Sequence, residues 1–325
     1  MKLNVYNANL ERILIIEDHF VSCYWSEGYN TIGKFSLELI ATKEYREKIK
    51  PEYFVGRSDR KTLMVIKSVE ESNGKIVAVG AQAFKVLEDV AFLGTIEKGV
   101  PVDTAVKNAY NESDRLSFLF VHDTGMADLT SQPVQRGQLL DIALDLCQQK
   151  DIGIKAERDG NLVSVSFYKP EKEENLVFSE RFGNAVIDSM LVSTEGYKNA
   201  VVCFYLTPDE EERYVEVDQS NGENKRVLIA DSTVQWEEDD TEETYREKVE
   251  DYCEILLNER KNVFDCVFNP ISKDFGTRYD LGDILTVFLP DGNGKIEARV
   301  VRFTEKCQNN KSQLKIDVGD IMIKR

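Results

Sequence analysis

Alternating apolar and polar residues, interrupted by glycine-containing turns, set the main limit on how this chain can fold. Residues 33–39 alternate at period two, the pattern of a strand with one buried face. Residues 62–70 and 75–80 flank Asn73-Gly74, a pair that accepts the positive φ angles of a type I′ hairpin turn. The first hundred residues are therefore predicted to form an antiparallel sheet or a small barrel.

Strand patterns return in the last third of the chain and surround one long helix. Asp291-Gly292 predicts a second hairpin turn there. The helix is predicted over residues 241–262, because apolar residues recur at helical spacing. They are Tyr245, Val249, Tyr252, Cys253, Leu256 and Leu257. The acidic run at 237–243 favours the positive end of that helix, so it needs no metal to explain it.

Between these regions the pattern changes to helices. Apolar stripes at i, i+3 and i+4 predict helices at about 102–110 and 138–150. We therefore predict an α+β fold that is mainly β, with two antiparallel barrel-like units, a helical segment between them and one long helix in the C-terminal unit. The predicted domains are a barrel-like domain at 1–98, an α+β domain at 99–184, and a barrel-like domain at 185–325 with the helix inserted.

The charge balance argues against a protein that reads nucleic acid. The 325 residues include 41 Lys and Arg and 58 Asp and Glu, a net charge of −17. Such a surface repels a polyanion, and no basic cluster is visible in the sequence. Neither a membrane span nor a signal peptide is expected, because the aliphatic run at 13–16 is much shorter than the roughly 20 residues of a span and the N-terminus is polar.

The cysteines suggest neither a disulfide framework nor a zinc site. They are widely spaced and contain no C-x-x-C pair. The six are Cys23, Cys147, Cys203, Cys253, Cys266 and Cys307. Most stand in apolar settings typical of small buried hydrophobic residues, which favours reduced core thiols in a protein made in a cytoplasm.

Residues that carry chemistry are scarce. There are two histidines, His19 and His122, each next to an aspartate that points to the opposite face if the segment is a strand. The motifs H-E-x-x-H, G-x-G-x-x-G and G-x-S-x-G are absent, and residues 291–295 fit neither a calcium loop nor a phosphate-binding loop. We predict no catalytic residue, no metal ligand and no cofactor, and we expect the chain not to be an enzyme.

Three segments, taken in order, resemble a family of phage proteins. The first is a Gly-x-Phe-x-Leu strand at 33–37 with a later strand that ends in glycine before a short helix, at 77–87. The second is residues 177–184 with the Tyr-Lys-Asn segment at 195–200, and the third is Arg-Tyr-Asp-Leu-Gly-Asp at 278–283. The chain thus resembles siphophage and prophage tail proteins of the baseplate-hub type, also called tail-associated or tail-endopeptidase-like proteins. The residues that carry the resemblance are Trp25, Gly33, Phe35, Gly80, Phe178, Gly183, Asn184, Tyr197, Gly282 and Asp283.

The resemblance implies a ring-shaped homotrimer at the tail tip, with two related β-barrels per subunit and no cofactor. Such a hub links the tail tube to the tip and lines the passage for DNA without specific nucleic-acid binding. Its implied partners are a distal tail or tail-tube protein and tip or receptor-binding proteins. It would act in the virion after synthesis in the bacterial host cytoplasm. Larger relatives add a C-terminal lytic or receptor-binding region, which is expected to be missing because the sequence ends at Arg325.

Two other functions stay open. A tail-associated cell-wall hydrolase fits the tail connection but lacks nucleophile and metal motifs. A carbohydrate-binding or receptor-binding module is compatible with a β-rich fold, although no residue requires it.

Overall fold

The computed structural model describes residues 1–17, 19–131, 133–237, 240–258, 260, 263–270, 274–288, 295–308 and 311–324. The first strands are β1 (Lys2–Tyr6), β2 (Arg12–Glu17), β3 (Ser22–Gly28), β4 (Lys34–Ile40), β5 (Phe54–Arg57), β6 (Leu63–Ser72), β7 (Lys75–Gln82) and β8 (Ala91–Phe92). The middle strands are β9 (Leu119–Val121), β10 (Gly137–Gln138), β11 (Gly153–Asp159), β12 (Leu162–Tyr168), β13 (Lys172–Phe178) and β14 (Ala185–Ser193). The last are β15 (Ala200–Leu206), β16 (Glu212–Asp218), β17 (Val227–Asp231), β18 (Val263–Pro270), β19 (Ile284–Phe288), β20 (Lys295–Gln308) and β21 (Lys311–Lys324).

The helices are α1 (Lys43–Lys48), α2 (Val102–Glu112), α3 (Leu139–Lys150) and α4 (Glu242–Asn258), with 3-10 helices at Ala83–Asp89 and Glu180–Phe182. The predicted mainly-β α+β class is therefore confirmed, as are the helices near 102–110 and 138–150. None of the helices in the described ranges is long and apolar enough to cross a membrane.

Strands from both ends of the sequence share one sheet. β20 pairs with β3 from Arg302, opposite Gly28, to Gln308, opposite Ser22. The sheet order is β14-β18-β21-β20-β3-β4-β7-β6-β5-β1-β2, with β13 and β19 joined beside β20. The described strands form an open path, so the expected closure into barrels at 1–98 and 185–325 is not observed. Instead, β20 of the C-terminal segment pairs with β3 of the N-terminal segment, so the two predicted units share strands of one sheet.

The chain forms two compact units. The first unit combines Met1–Asp188 with Cys266–Arg325, and the second unit is Ser189–Asp265. A compact unit of the folded chain is not the same as a segment that folds by itself. The domain boundaries 1–98, 99–184 and 185–325 therefore stay a prediction.

The first hairpin has the geometry that its sequence predicts. Asn73 and Gly74 have φ angles of 51° and 73°, as a type I′ turn requires. The turn joins β6 to β7, and β7 then pairs with β4 so that Phe35 lies opposite Gly80. Phe35 is 1% exposed, as the alternating pattern implies. The second predicted hairpin, at Asp291-Gly292, lies outside the described residues.

A large apolar core in the first unit joins the helices to the sheet. α2 and α3 each bury one face against the 3-10 helix at Ala83–Asp89 and against strands β5, β6, β11 and β12. α2 begins after Pro101, whose fixed φ suits a helix start. α3 ends at Asp151, which adopts the left-handed conformation (φ 53°) and donates its backbone N–H to the last turn.

The second unit contains a small sheet covered on one face by α4. β15 pairs antiparallel with β16 and parallel with β17. The predicted helix face is confirmed, since Tyr245, Val249 and Cys253 pack into the core of this unit with Cys203 and Val215.

Candidate functional site

A cluster of buried charges lies where β3 meets β20 and the segment that follows β5. The Glu27 carboxylate, 1% exposed, receives two hydrogen bonds from Arg60, at 2.8 Å from Nε and 2.9 Å from Nη2. Thr62 Oγ1 and Trp25 Nε1 also donate to it, at 3.0 and 2.7 Å. One carboxylate therefore holds three side chains from two segments of the chain.

A second ion pair extends the cluster to β20. Arg57 Nη1 lies 2.6 Å from Glu305 Oε2, and the same guanidinium donates to Asp59 from Nε and Nη2. Burial opposes the charge of Arg57, but Asp59 and Glu305 outweigh it and hold the Arg57 pKa above its ordinary value. Ser312 on β21 also donates to Glu305.

Aromatic rings close the cluster from the sides. Phe275 and Phe303 stack in parallel with centroids 4.4 Å apart. The Arg60 guanidinium lies 4.5 Å from the Phe275 centroid and 4.9 Å from that of Phe303, within cation–π range. Arg57 lies over Trp25 at 5.7 Å. The guanidinium groups of Arg57 and Arg60 are thus both paired and shielded from water.

A neighbouring polar cluster anchors the end of α3 to β20. Asp151 accepts hydrogen bonds from Tyr29 Oη and Arg299 Nη2, each at 2.8 Å. Arg299 Nη1 donates to the carbonyl oxygen of Gly282 at 2.6 Å. Burial, with the hydrogen bond to Asp151, raises the pKa of Tyr29. Tyr29 therefore stays a neutral donor over the physiological range.

The two clusters consist of ion pairs and hydrogen bonds that connect separate strands and segments. The buried carboxylates are engaged by guanidinium groups, so they are poorly placed to exchange protons with a substrate. Burial raises the pKa of Cys23 and of Cys147 to about 12, so both thiols are protonated at neutral pH and are weak nucleophiles. Within the described ranges no group of three or more His, Cys, Asp and Glu side chains could hold a metal ion.

Four of the resemblance residues lie together in the large sheet: Trp25, Phe35 and Gly80 are on the adjacent strands β3, β4 and β7, and Gly33 directly precedes β4. Trp25 and Phe35 form an edge-to-face pair with centroids 5.7 Å apart. A Cβ on Gly33 would lie 2.0 Å from the Ser26 carbonyl oxygen, and one on Gly80 would lie 1.9 Å from the backbone of β6. Only glycine allows these close approaches.

Two further groups of these residues shape turns. Asn184 accepts from the Ser179 backbone N–H and donates to the Val177 carbonyl, which closes the turn that contains Gly183 (φ 65°). Asp283 accepts from the backbone N–H groups of Glu171 and Asp280.

The remaining residues divide between the units. Phe178 packs edge-to-face on Tyr279 at 5.4 Å, and Gly282 (φ 89°) leaves room for the Tyr29 ring. Tyr197, by contrast, belongs to the second unit, where Arg226 lies over its ring. Nine of the ten residues thus belong to the first unit and one to the second.

Sequence reasoning missed the charges at the centre of the cluster. Glu27, Arg57, Arg60 and Glu305 each stand among polar neighbours in sequence, and the partners are 33 residues apart in one pair and 248 in the other. The one local signal is the period of two along β3, which places Glu27 on the same face as Cys23 and Trp25.

The fold is shared with solved prophage tail proteins. The 43 kDa tail protein of prophage MuSo2 from Shewanella oneidensis matches with a TM-score of 0.64 and 11% identity, over 98% of each chain. A tail protein from Neisseria meningitidis matches with 0.63 and 11%, over 98% of this chain and 96% of that one. The prophage tail protein gp18 from Listeria monocytogenes matches with 0.61 and 12%, over 98% and 94%.

Sequence comparison alone finds less. No family model and no curated protein matches the sequence. The identities to the solved structures are low, so the likeness concerns the fold. At that level the predicted resemblance to phage tail proteins is confirmed: the chain has the fold of prophage tail proteins over nearly its whole length.

Proposed function

We propose that this chain is a structural hub protein of a phage or prophage tail, which links the tail tube to the tip at the baseplate. The observation that carries the proposal is the likeness of fold to three tail proteins over 98% of the chain. The paired and shielded charges of the first unit suit a rigid building block.

In this proposal the protein is a homotrimer located in the virion tail tip and made in the host cytoplasm. It contacts a distal tail or tail-tube protein on one side and tip or receptor-binding proteins on the other. The net charge of −17 favours a DNA passage along which the phosphate backbone slides without binding.

We also propose that the chain is not an enzyme. The protonated buried thiols support this, because a cell-wall hydrolase needs an activated nucleophile or a bound metal. We do not propose a carbohydrate-binding role, because no observation on the described residues favours it.

Particle composition tests the structural role. Tail particles are assembled in cells that express an epitope-tagged chain with its neighbouring tail genes, then purified and labelled with antibody for electron microscopy. The tag is expected at one end of the tail, in a fixed ratio to the tube protein. Intact tails that lack the chain, or label along the whole tube, would contradict the hub role.

A further inference from the structure

β17 occupies an edge of its sheet but has the composition of an interior strand. It contains four consecutive apolar residues, Val227-Leu228-Ile229-Ala230. The side chain of Ile229 is 72% exposed and that of Val227 is 37% exposed. Continuous apolar runs are typical of strands that are covered on both faces.

The opposite edge of the same sheet is protected. β16 carries Glu212, Arg213, Glu216 and Asp218, charges of the kind that prevent unwanted strand pairing. The two edges therefore differ: β16 carries charges that oppose strand pairing, whereas Val227–Ala230 of β17 carry none.

The β17 edge also presents backbone groups that can accept a further strand. The Arg226 carbonyl accepts from the Ala200 N–H, and the Ser232 N–H donates to the Phe204 carbonyl. Alternate residues of β17 therefore face β15, and the backbone groups between them, including those of Ile229, face the other way. In the described part of the chain, β15 is the only strand paired with β17.

β2 offers a matching edge. It ends the order of the large sheet and, among the strands described, pairs with β1 alone. The Lys2 carbonyl accepts from Ser58 on the β5 side, so the backbone of Lys2, and that of Asn4 two residues on, faces away from β2. Ile15 is opposite Asn4, and its own backbone groups therefore face outward. The Ile15 side chain is 42% exposed.

Alignment of the two edges brings opposite charges together. When Ile15 is placed opposite Ile229 in an antiparallel pair, the next position on the same face of β17 is Asp231. On β2 that position is Arg12, because a bulge between Val5 and Tyr6 pairs Arg12 with Tyr6, two residues from Asn4. Both Arg12 and Asp231 are exposed.

We propose that β2 of one molecule pairs antiparallel with β17 of a second molecule of this chain, with Ile15 opposite Ile229 and Arg12 opposite Asp231. The contact is head-to-tail, and such contacts form a ring when the rotation between subunits closes. The inference rests on the proposed self-assembly of the chain and names the surfaces that carry it.

Mixed disulfide cross-linking tests the pairing. The Ile15→Cys and Ile229→Cys variants of the whole chain are purified separately. They are then mixed and oxidised with diamide. Opposed residues of an antiparallel pair have Cα atoms about 5.5 Å apart, within the range of about 4.4–6.8 Å for a disulfide. A covalent dimer is expected in the mixture and in neither variant alone. The native Cys23, Cys147 and Cys203 are buried, and the wild-type chain is oxidised in parallel.

The control replaces an apolar residue that is more exposed than either Ile15 or Ile229 and lies on neither strand. Leu93 is 83% exposed, so Leu93→Cys mixed with Ile229→Cys measures random collision and should give no dimer. Reversal of one charge, Arg12→Asp, should lower the yield at least several-fold, and Asp231→Arg on the partner variant should restore it.

Several outcomes would overturn the proposal. A dimer from either cysteine variant alone would show that an edge pairs with its own copy. A mixture without dimer, where the wild-type chain is oligomeric, would show that other surfaces carry the assembly. A wild-type chain that stays monomeric up to its solubility limit would show that the contact does not form. The double variant Ile15→Cys/Ile229→Cys must yield species larger than a monomer, because a closed monomer would mean pairing within one chain. Cross-linking in solution combined with absence from tail particles would instead overturn only the proposed function.

Discussion

Replacement of Arg60 by methionine should destabilise the first unit by about 3–5 kcal/mol, the cost of removing one partner from a buried ion pair. Arg60→Met keeps most of the side-chain volume against Phe275 and Phe303 but leaves the Glu27 carboxylate, 1% exposed, without its two guanidinium donors. The remaining donors, Thr62 and Trp25, are neutral and cannot balance a buried negative charge.

Tryptophan fluorescence reads this change where it occurs. The chain contains two tryptophans, of which Trp25 donates directly to Glu27 and Trp236 packs in the second unit. In a Trp236→Phe background, the emission of Trp25 reports unfolding of the first unit in urea. With a slope of about 3 kcal/mol per M, the expected loss lowers the midpoint by at least about 1 M.

A surface pair gives the matched control. Arg46 also makes a two-pronged contact with a glutamate, Glu71, but both side chains are about half exposed. Arg46→Met should cost only about 0–1 kcal/mol. The double variant Glu27→Leu/Arg60→Met should recover part of the loss, since it removes the unpaired charge. If Arg60→Met costs no more than Arg46→Met, the Glu27 pair is solvated and the reasoning is wrong.

Three further predictions follow from the same structure. Phe35→Ala should lower the free energy of unfolding by about 3–5 kcal/mol, whereas Ile40→Ala on the same strand, 57% exposed, should change it little in the same urea titration. Asp103 is buried, which raises its pKa, but backbone N–H donors outweigh burial and lower it; its stabilisation is therefore complete above the unfolded value of about 3.9 and lost as the pH falls through the folded value, so Asp103→Asn should remove that part of the acid dependence. A zymogram on peptidoglycan should show no cleared band, and a band abolished by His122→Ala would identify a hydrolase.

Local signals were sufficient to predict the helices, the first hairpin and the buried strand face. Asn73-Gly74 specifies its turn through two positive φ angles, and the stripe of α4 specifies its covered face. These features depend on residues within a few positions of one another, so the sequence pattern carries them.

The sheet topology and the charge cluster could not be predicted in this way. Glu305 pairs with Arg57, which is 248 residues earlier, and nothing in the local pattern of either segment identifies the partner. The same holds for β20 and β3: each has the alternation of an ordinary strand, so the sequence alone is compatible with two separate barrels as well as with one shared sheet.

The buried charges are better explained by strand register than by stability. Desolvation of an ion pair offsets most of its Coulomb gain, so an apolar cluster of equal volume would hold the strands together as well. Alternation alone, however, would tolerate a slip of β20 along β3 by two residues, because each side chain would stay on its face. Such a slip would displace Glu305 along the strand by about 7 Å, away from Arg57, and would separate Phe303 from Arg60. A buried, unpaired carboxylate would then oppose the slipped arrangement, so the cluster selects the single register in which Glu305 lies opposite Trp25.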